Sequence, residues 1–159
     1  MTAMQHASRT LPVVFAGVSD PIGAGLVDSL ARPGGNATGF MNFEYSLSGK
    51  WVELLKQIAP DVKRVAVLRD PAIPAGIGQF SAIQGAAQSL GVEVSAIGIR
   101  DSSEMERAVT AFARLAGGGL MATGTASAFV YSDRIIALAA RLKLPAIYTY
   151  CYEATNGRA

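Results

Sequence analysis

"RVAVLRDPAIPAGIGQFSAIQGAAQSLGVEVSAIGI", residues 64–99, decides the fold. Its opening, 64–70, is a short apolar run closed by Asp70-Pro71, with the length and flanks of a buried strand. Residues 77–90 run at helical length and bring Phe80, Ile83, Ala87 and Leu90 to one face. Residues 93–99 alternate loosely and read as a second strand. Strand, helix and strand in so short a span make a crossover unit, and its strands must lie parallel.

The same beat extends both ways. Upstream, "LPVVFAG" (11–17) reads as a buried strand, and 22–31 reads as a helix ended by Pro33 and the glycines Gly34 and Gly35. Arg32 would sit at that helix's C-terminus, with Gly34 or Gly35 as its left-handed cap, so the glycines need no phosphate to explain them. "ATGF" (37–40) is a short extended stretch. Residues 46–60 place Leu47, Trp51, Leu54, Leu55 and Ile58 on one helical stripe that Pro60 ends.

Downstream, Ser103 with Glu106 makes a capping box for a helix carrying Met105, Val109, Phe112 and Ala116. "GGLMAT" (118–123) is a strand, and Ser132 and Asp133 open a helix that turns Ile135, Ile136, Ala139 and Leu142 inward. "PAIYTY" (145–150) is the last strand. Near-continuous apolar strands alternating with helices predict an α/β fold, a doubly wound parallel sheet covered on both faces.

The totals narrow the function. At 159 residues, with 50% hydrophobic and 16% charged, the chain has the composition of a globular domain. The net charge of +2 comes from scattered Lys and Arg with no basic stripe, which argues against a nucleic-acid partner. The single cysteine, Cys151, allows no internal disulfide or thiolate zinc site and reads best as a buried small hydrophobe. The single histidine, His6, makes a histidine relay improbable. No segment approaches the ~20 apolar residues of a membrane span, and Met1 to Thr10 is polar with no apolar h-region.

In a doubly wound sheet, ligands bind outside the carboxyl ends of the strands near the switch in strand order. The loops to inspect are therefore 17–21, 70–74, 123–126 and 149–152. The first, in "GVSDPIGAG", sets Asp20 and Pro21 where a pyrophosphate would need bare backbone, so no dinucleotide cofactor is expected. No pair of metal-ligating residues has helix-turn spacing in these loops, so no metal is expected either. Asp20 and Asp70 could act as paired carboxylates only if they converged, and Asp-Pro after a strand more often forms a turn or a helix cap. What remains is small hydroxyls (Ser19, Thr123, Thr125), helix N-termini, two carboxylates and several tyrosines. That set suits reversible binding of a small polar or zwitterionic molecule. Tyr148 and Tyr150 would alternate on one strand, so only one of them could face a given pocket.

These residues carry a resemblance. "PVVFAGVSDPIGAGLVDSLARPGGNATGF" (12–40), with its R-P-G-G-N-x-T-G run, is similar to ABC-transporter substrate-binding proteins of the tryptophan- and tyrosine-importer type. "KWVELLKQIAPDVKRVAVLRDP" (50–71) and "ALAARLKLPAIYTY" (137–150) resemble that family's later segments. The family often has Asn-Pro where this chain has Asp70-Pro71, and a polar or acidic residue where it has Ala126.

The resemblance implies a non-catalytic, two-lobed protein of the periplasmic-binding-protein type (class I) that closes a cleft on an amino acid or similar molecule, aromatic ones included. It implies a membrane permease as partner, and a periplasmic or lipid-anchored extracytoplasmic parent. It divides the chain into the end of lobe one (1–36), a hinge crossing (37–45) and an incomplete lobe two (46–159). Ligand contacts would fall on Ser19 and Asp20, on Asp70, Pro71 and Ala72, on Thr123 and Thr125, and on Tyr148 and Tyr150. Residues 10–35 without partner strands would leave an apolar face uncovered, and a homodimer is expected from it. From the residues themselves, a ligand-sensing domain of a regulator and an α/β enzyme using Asp20 or Asp70 stay open.

Overall fold

The structure, a computed structural model, describes residues 8–151; His6 and Tyr152 lie outside the described residues. The chain forms two compact units, Met1–Tyr45 and Ser46–Ala159.

In the first unit, β1 (Val13–Val18) and β2 (Ala37–Met41) pair in parallel. The register runs from Val13 opposite Ala37 to Ala16 opposite Phe40 and slips at Gly17, whose φ is +70°. Val13, Phe15 and Ala37 are buried with Leu26 and Val27 of the connecting segment. Val14 and Phe40 face outward, 71% and 78% exposed, alongside the exposed Leu11 and Leu30.

The helix expected over 22–31 does not form. The segment is a chain of turns in which Ala24 N donates to Asp20 O (2.9 Å), Gly25 N to Ile22 O (2.9 Å) and Leu26 N to Pro21 O (2.8 Å). Gly25 adopts φ +67°, which breaks the helical ladder. Arg32 therefore caps no helix. Gly34 is left-handed (φ +79°) as expected, but it closes a loop in which Asp28 N donates to Pro33 O at 3.0 Å.

The second unit holds a four-stranded parallel sheet in the order β4-β3-β5-β6, formed by β3 (Arg64–Arg69), β4 (Glu93–Gly98), β5 (Gly118–Ala122) and β6 (Ala146–Ile147). Its helices are α1 (Leu47–Ile58), α2 (Pro74–Ser89), α3 (Ser102–Phe112), α4 (Ala126–Val130) and α5 (Ser132–Arg141). One face of the sheet packs Val65, Val67 and Met121 against Val52 and Leu55 of α1 and Ile83 and Ala87 of α2. The other packs Ala66, Leu68 and Leu120 against Met105 and Val109 of α3 and Ile135, Leu138 and Ala139 of α5. Residues on β3 alternate between the two cores, which is the doubly wound arrangement.

Local expectations shift in five places. Helix α1 buries Ser48, Val52 and Leu55, whereas Leu47, Leu54 and Ile58 are exposed, so its buried stripe is rotated from the most apolar one. Helix α3 is capped by Asp101, whose Oδ1 accepts from Glu104 N at 2.7 Å, and not by a Ser103–Glu106 box. Helix α4 is an unexpected extra turn, with Thr125 Oγ1 accepting from Ala128 N at 3.4 Å. Strand β6 stops at Ile147, so Tyr148 and Tyr150 lie beyond the strand that was to alternate them. Cys151 is exposed, not buried.

Candidate ligand-binding site

Both β4 and β5 pair with β3, so the chain crosses back over β3 between them and the order switches there. The loops after β3 and β5 thus come together at the point where such sheets bind ligands.

Asp70 follows β3 and is buried, 7% exposed. Its Oδ1 accepts from Ala72 N (2.9 Å) and from Arg100 Nε (3.0 Å), and its Oδ2 accepts from Ser127 Oγ (2.9 Å). The Ala72 amide holds the carboxyl below its ordinary pKa, with help from Ser127 and Arg100 and against the opposing effect of burial. One side chain so joins the end of β3 to the segment after β4 and to α4. A carboxylate with three donors and a lowered pKa is a poor proton acceptor, which weighs against an enzyme using Asp70 as base.

The loop after β5 is also anchored. Thr123, 1% exposed, donates its hydroxyl to Leu68 O at 2.8 Å, and Thr125 N donates to Thr123 O at 2.8 Å. Gly124 N donates to Oε1 of Gln79, a fully buried residue of α2. Gly76, one turn before Gln79, lets α2 approach both loops. A Cβ there would lie 2.8 Å from Asp70 O and 3.4 Å from Thr125 Cγ2. The loop after β6 is tied in by Thr149 Oγ1, which donates to Ala122 O at 2.9 Å.

Of the expected residues, Asp70, Pro71, Ala72, Thr123 and Thr125 thus gather at one end of the sheet, with Pro71 and Ala72 exposed. Tyr148 packs against the α3–α5 core, and Tyr150 is half-buried nearby in sequence. Ser19 and Asp20 belong to the first unit, after β1. Asp20 is a turn former there, in left-handed backbone (φ +44°), with Oδ1 accepting from Gly23 N at 2.7 Å and Oδ2 from Tyr45 N at 3.3 Å. Burial, aided by the Asp20 charge, raises the Tyr45 phenol above its usual pKa.

Among the described residues no group of three or more His, Cys, Asp or Glu could hold a metal ion. A broad hollow lined by Asp101, Glu104, Arg107, Arg114 and Arg141 among others runs along the charged side of α3, and none of its lining residues belongs to the loops after β3 and β5.

A family model described as "ABC transporter substrate binding protein" matches residues 2–157. The chain belongs to this family. A tyrosine-binding protein of Clostridioides difficile is 32% identical over 108 residues, covering 68% of this chain and 31% of that protein. A conserved domain protein of Vibrio cholerae superposes with a TM-score of 0.83 at 27% identity, over 96% of this chain and 51% of the other. An ABC domain in complex with L-Trp from Streptococcus pneumonia gives 0.79 at 24% identity over 92% and 49%, a likeness of fold. A ligand-free, open substrate binding protein with adhesive properties from Clostridium difficile gives 0.63 at 27% over 92% and 48%. This family member thus spans about a third of the curated relative and about half of each solved structure.

Gln79, Arg100 and Ser127 were missed from sequence. Gln79 could have been found, because it stands in the Ile83–Ala87 stripe at helical spacing, where an apolar residue would otherwise be expected. Arg100 and Ser127 gave no such signal, since their role depends on strand order.

Proposed function

We propose that the chain is part of the solute-binding component of an ABC importer and that it binds an amino acid, tyrosine-like in the first instance. The carrying observation is the locked pair of switch-point loops, held by the Asp70 and Gln79 bonds, in a chain 32% identical to a tyrosine-binding protein. Pre-ordered loops do not have to be fixed when the ligand arrives, so less affinity is lost to ordering. Ser19, Asp20, Pro71, Ala72, Thr123, Thr125, Tyr148 and Tyr150 are the proposed contacts, and Asp70, expected among them, is proposed to act through the loop it holds. The two-lobed closure, the absence of catalysis, the permease partner and the extracytoplasmic location implied by the resemblance belong to the same proposal.

The test is thermal-shift and calorimetric titration of the chain with L-tyrosine, L-tryptophan and L-phenylalanine against the other amino acids. A ligand at ~100 times its Kd adds about 2.7 kcal/mol of stability and a clear rise in Tm. If no amino acid shifts the transition or gives heat, the proposed ligand class is wrong.

A further inference from the structure

Two arginines bracket β3, and their surroundings differ. Arg64, at its start, lies over the Phe112 ring with Cζ 4.6 Å from the centroid. Its Nη2 donates to the carbonyls of Phe112 (3.3 Å) and Leu115 (2.8 Å). Arg69, at the strand's end, lies over the Phe80 ring in the same way, at 4.8 Å. Its Nε, however, is buried with no hydrogen-bond partner. Among the described residues the ion pairs are Lys50–Glu53, Arg100–Asp70 and Arg141–Glu106, so no carboxylate pairs with Arg69. Asp70, its neighbour in sequence, is already held by Arg100 and Ser127.

A guanidinium N–H sealed from water without an acceptor is costly and calls for an explanation. The other two buried side-chain polar atoms without a partner among the described residues are Gln79 Nε2 and Ser48 Oγ. All three lie on one side of the sheet. Arg69 alternates with Val65 and Val67, which face the α1–α2 core; Gln79 is on α2, and Ser48 is in the first turn of α1. A Cβ on Gly49 would lie 3.2 Å from Ala86 Cβ and 3.6 Å from Ala82 O, which sets the start of α1 one to two turns along α2 from Gln79. Two of the three unmatched groups therefore stand near the carboxyl end of β3: Arg69 on the strand itself, and Gln79, whose Oε1 holds Gly124 N of the loop after β5.

We propose that Arg69 is a ligand-binding residue whose guanidinium takes a carboxylate. The idea rests on the amino-acid reading and deepens it, giving the ligand's carboxylate to Arg69 in place of loop amides and hydroxyls. The fork of N–H donors matches a carboxylate in two parallel bonds, and the Phe80 ring holds its plane. Half-buried overall, Arg69 can meet a ligand while its Nε stays shielded from competing water.

Calorimetry with L-tyrosine and tyramine, which lacks only the carboxylate, tests this on the chain and on Arg69→Gln and Arg69→Lys. L-tyrosine should bind more tightly than tyramine. Arg69→Gln should weaken L-tyrosine by about 10- to 100-fold and leave tyramine unchanged, with Arg69→Lys between. Equal L-tyrosine affinity in the chain and Arg69→Gln overturns the role of Arg69 and leaves the amino-acid reading standing. A second measurement needs no variant to fold. The 15N–1H resonance of Arg69 Nε should move on titration with sodium acetate but not with sodium chloride, while that of Arg64 stays still. Acetate response without any L-tyrosine binding keeps the carboxylate site and sinks the amino-acid reading. No response of Arg69 to acetate or L-tyrosine overturns the proposal.

Discussion

Asp70 is held by donors from its own turn, from beyond β4 and from α4, and that determines what its protonation does. Its folded pKa lies below the ordinary 3.8, so the unfolded chain takes up the proton first as pH falls. The stability it contributes is complete above the unfolded value and is lost as pH drops through the folded one. Thermal melts should thus show Tm falling as pH drops below about 5, and Asp70→Asn should flatten that fall while lowering Tm at pH 7. An unchanged pH slope in the variant would show that the Arg100 and Ser127 contacts do not stabilise the charged form. Gly76 gives a second prediction at this scale. Gly76→Ala must push α2 off Asp70 O, 2.8 Å from the added Cβ, and should cost about 1–3 kcal/mol in chemical denaturation. Gly85→Ala in the same helix meets nothing within 4 Å and should instead gain about 0.5–1 kcal/mol. Equal effects at the two positions would refute the close approach of α2 to the loops.

At the scale of elements, α1 is where hydrophobicity and burial part company. Leu55 is fully buried while Leu54 is 47% exposed, although both stood on the expected stripe. Leu55→Ala should cost about 2–5 kcal/mol, and Leu54→Ser should stay within about 0.5 kcal/mol. Similar losses would place the sequence-derived stripe back on the core. The case also shows what was legible. Strands β3 and β5 were readable because parallel strands buried on both faces are continuously apolar, whereas β4, a half-exposed edge strand, was readable from its loose alternation. The rotation of α1 was not readable, because Gly49 is buried by the close approach of α2 at Ala82 and Ala86, a tertiary fact. The helix over 22–31 failed for the opposite reason, since local glycine and the Asp20 turn outweighed an apolar pattern of helical length. At the site, loop positions followed from strand ends. The partners of Asp70 did not, because Arg100 and Ser127 stand 30 and 57 residues away and only the β4-β3-β5 order brings them in.

At the scale of the whole molecule, the two units differ in how much core they own. In the second, Val65, Ala66, Val67 and Leu68 of β3 and Leu120 and Met121 of β5 are wholly buried between two helical layers. In the first, the described core is Val13, Phe15, Leu26, Val27 and Ala37, beneath one pair of strands whose outer side exposes Val14 and Phe40. A two-stranded sheet with so little buried area is marginal by itself, whereas a sheet covered on both faces is not. Local opening free energy should follow, so hydrogen exchange should divide the chain near Tyr45 and Ser46. Amides of β3 and β5 should exchange last and through global unfolding, and those of β1 and β2 much sooner and with little dependence on denaturant. L-tyrosine bound through the switch-point loops should slow Gly124, whose amide already bonds Gln79, more than amides at the amino end of β3. Exchange of β1 and β2 as slow as that of β3 would mean that the first unit draws stability from contacts beyond its own core.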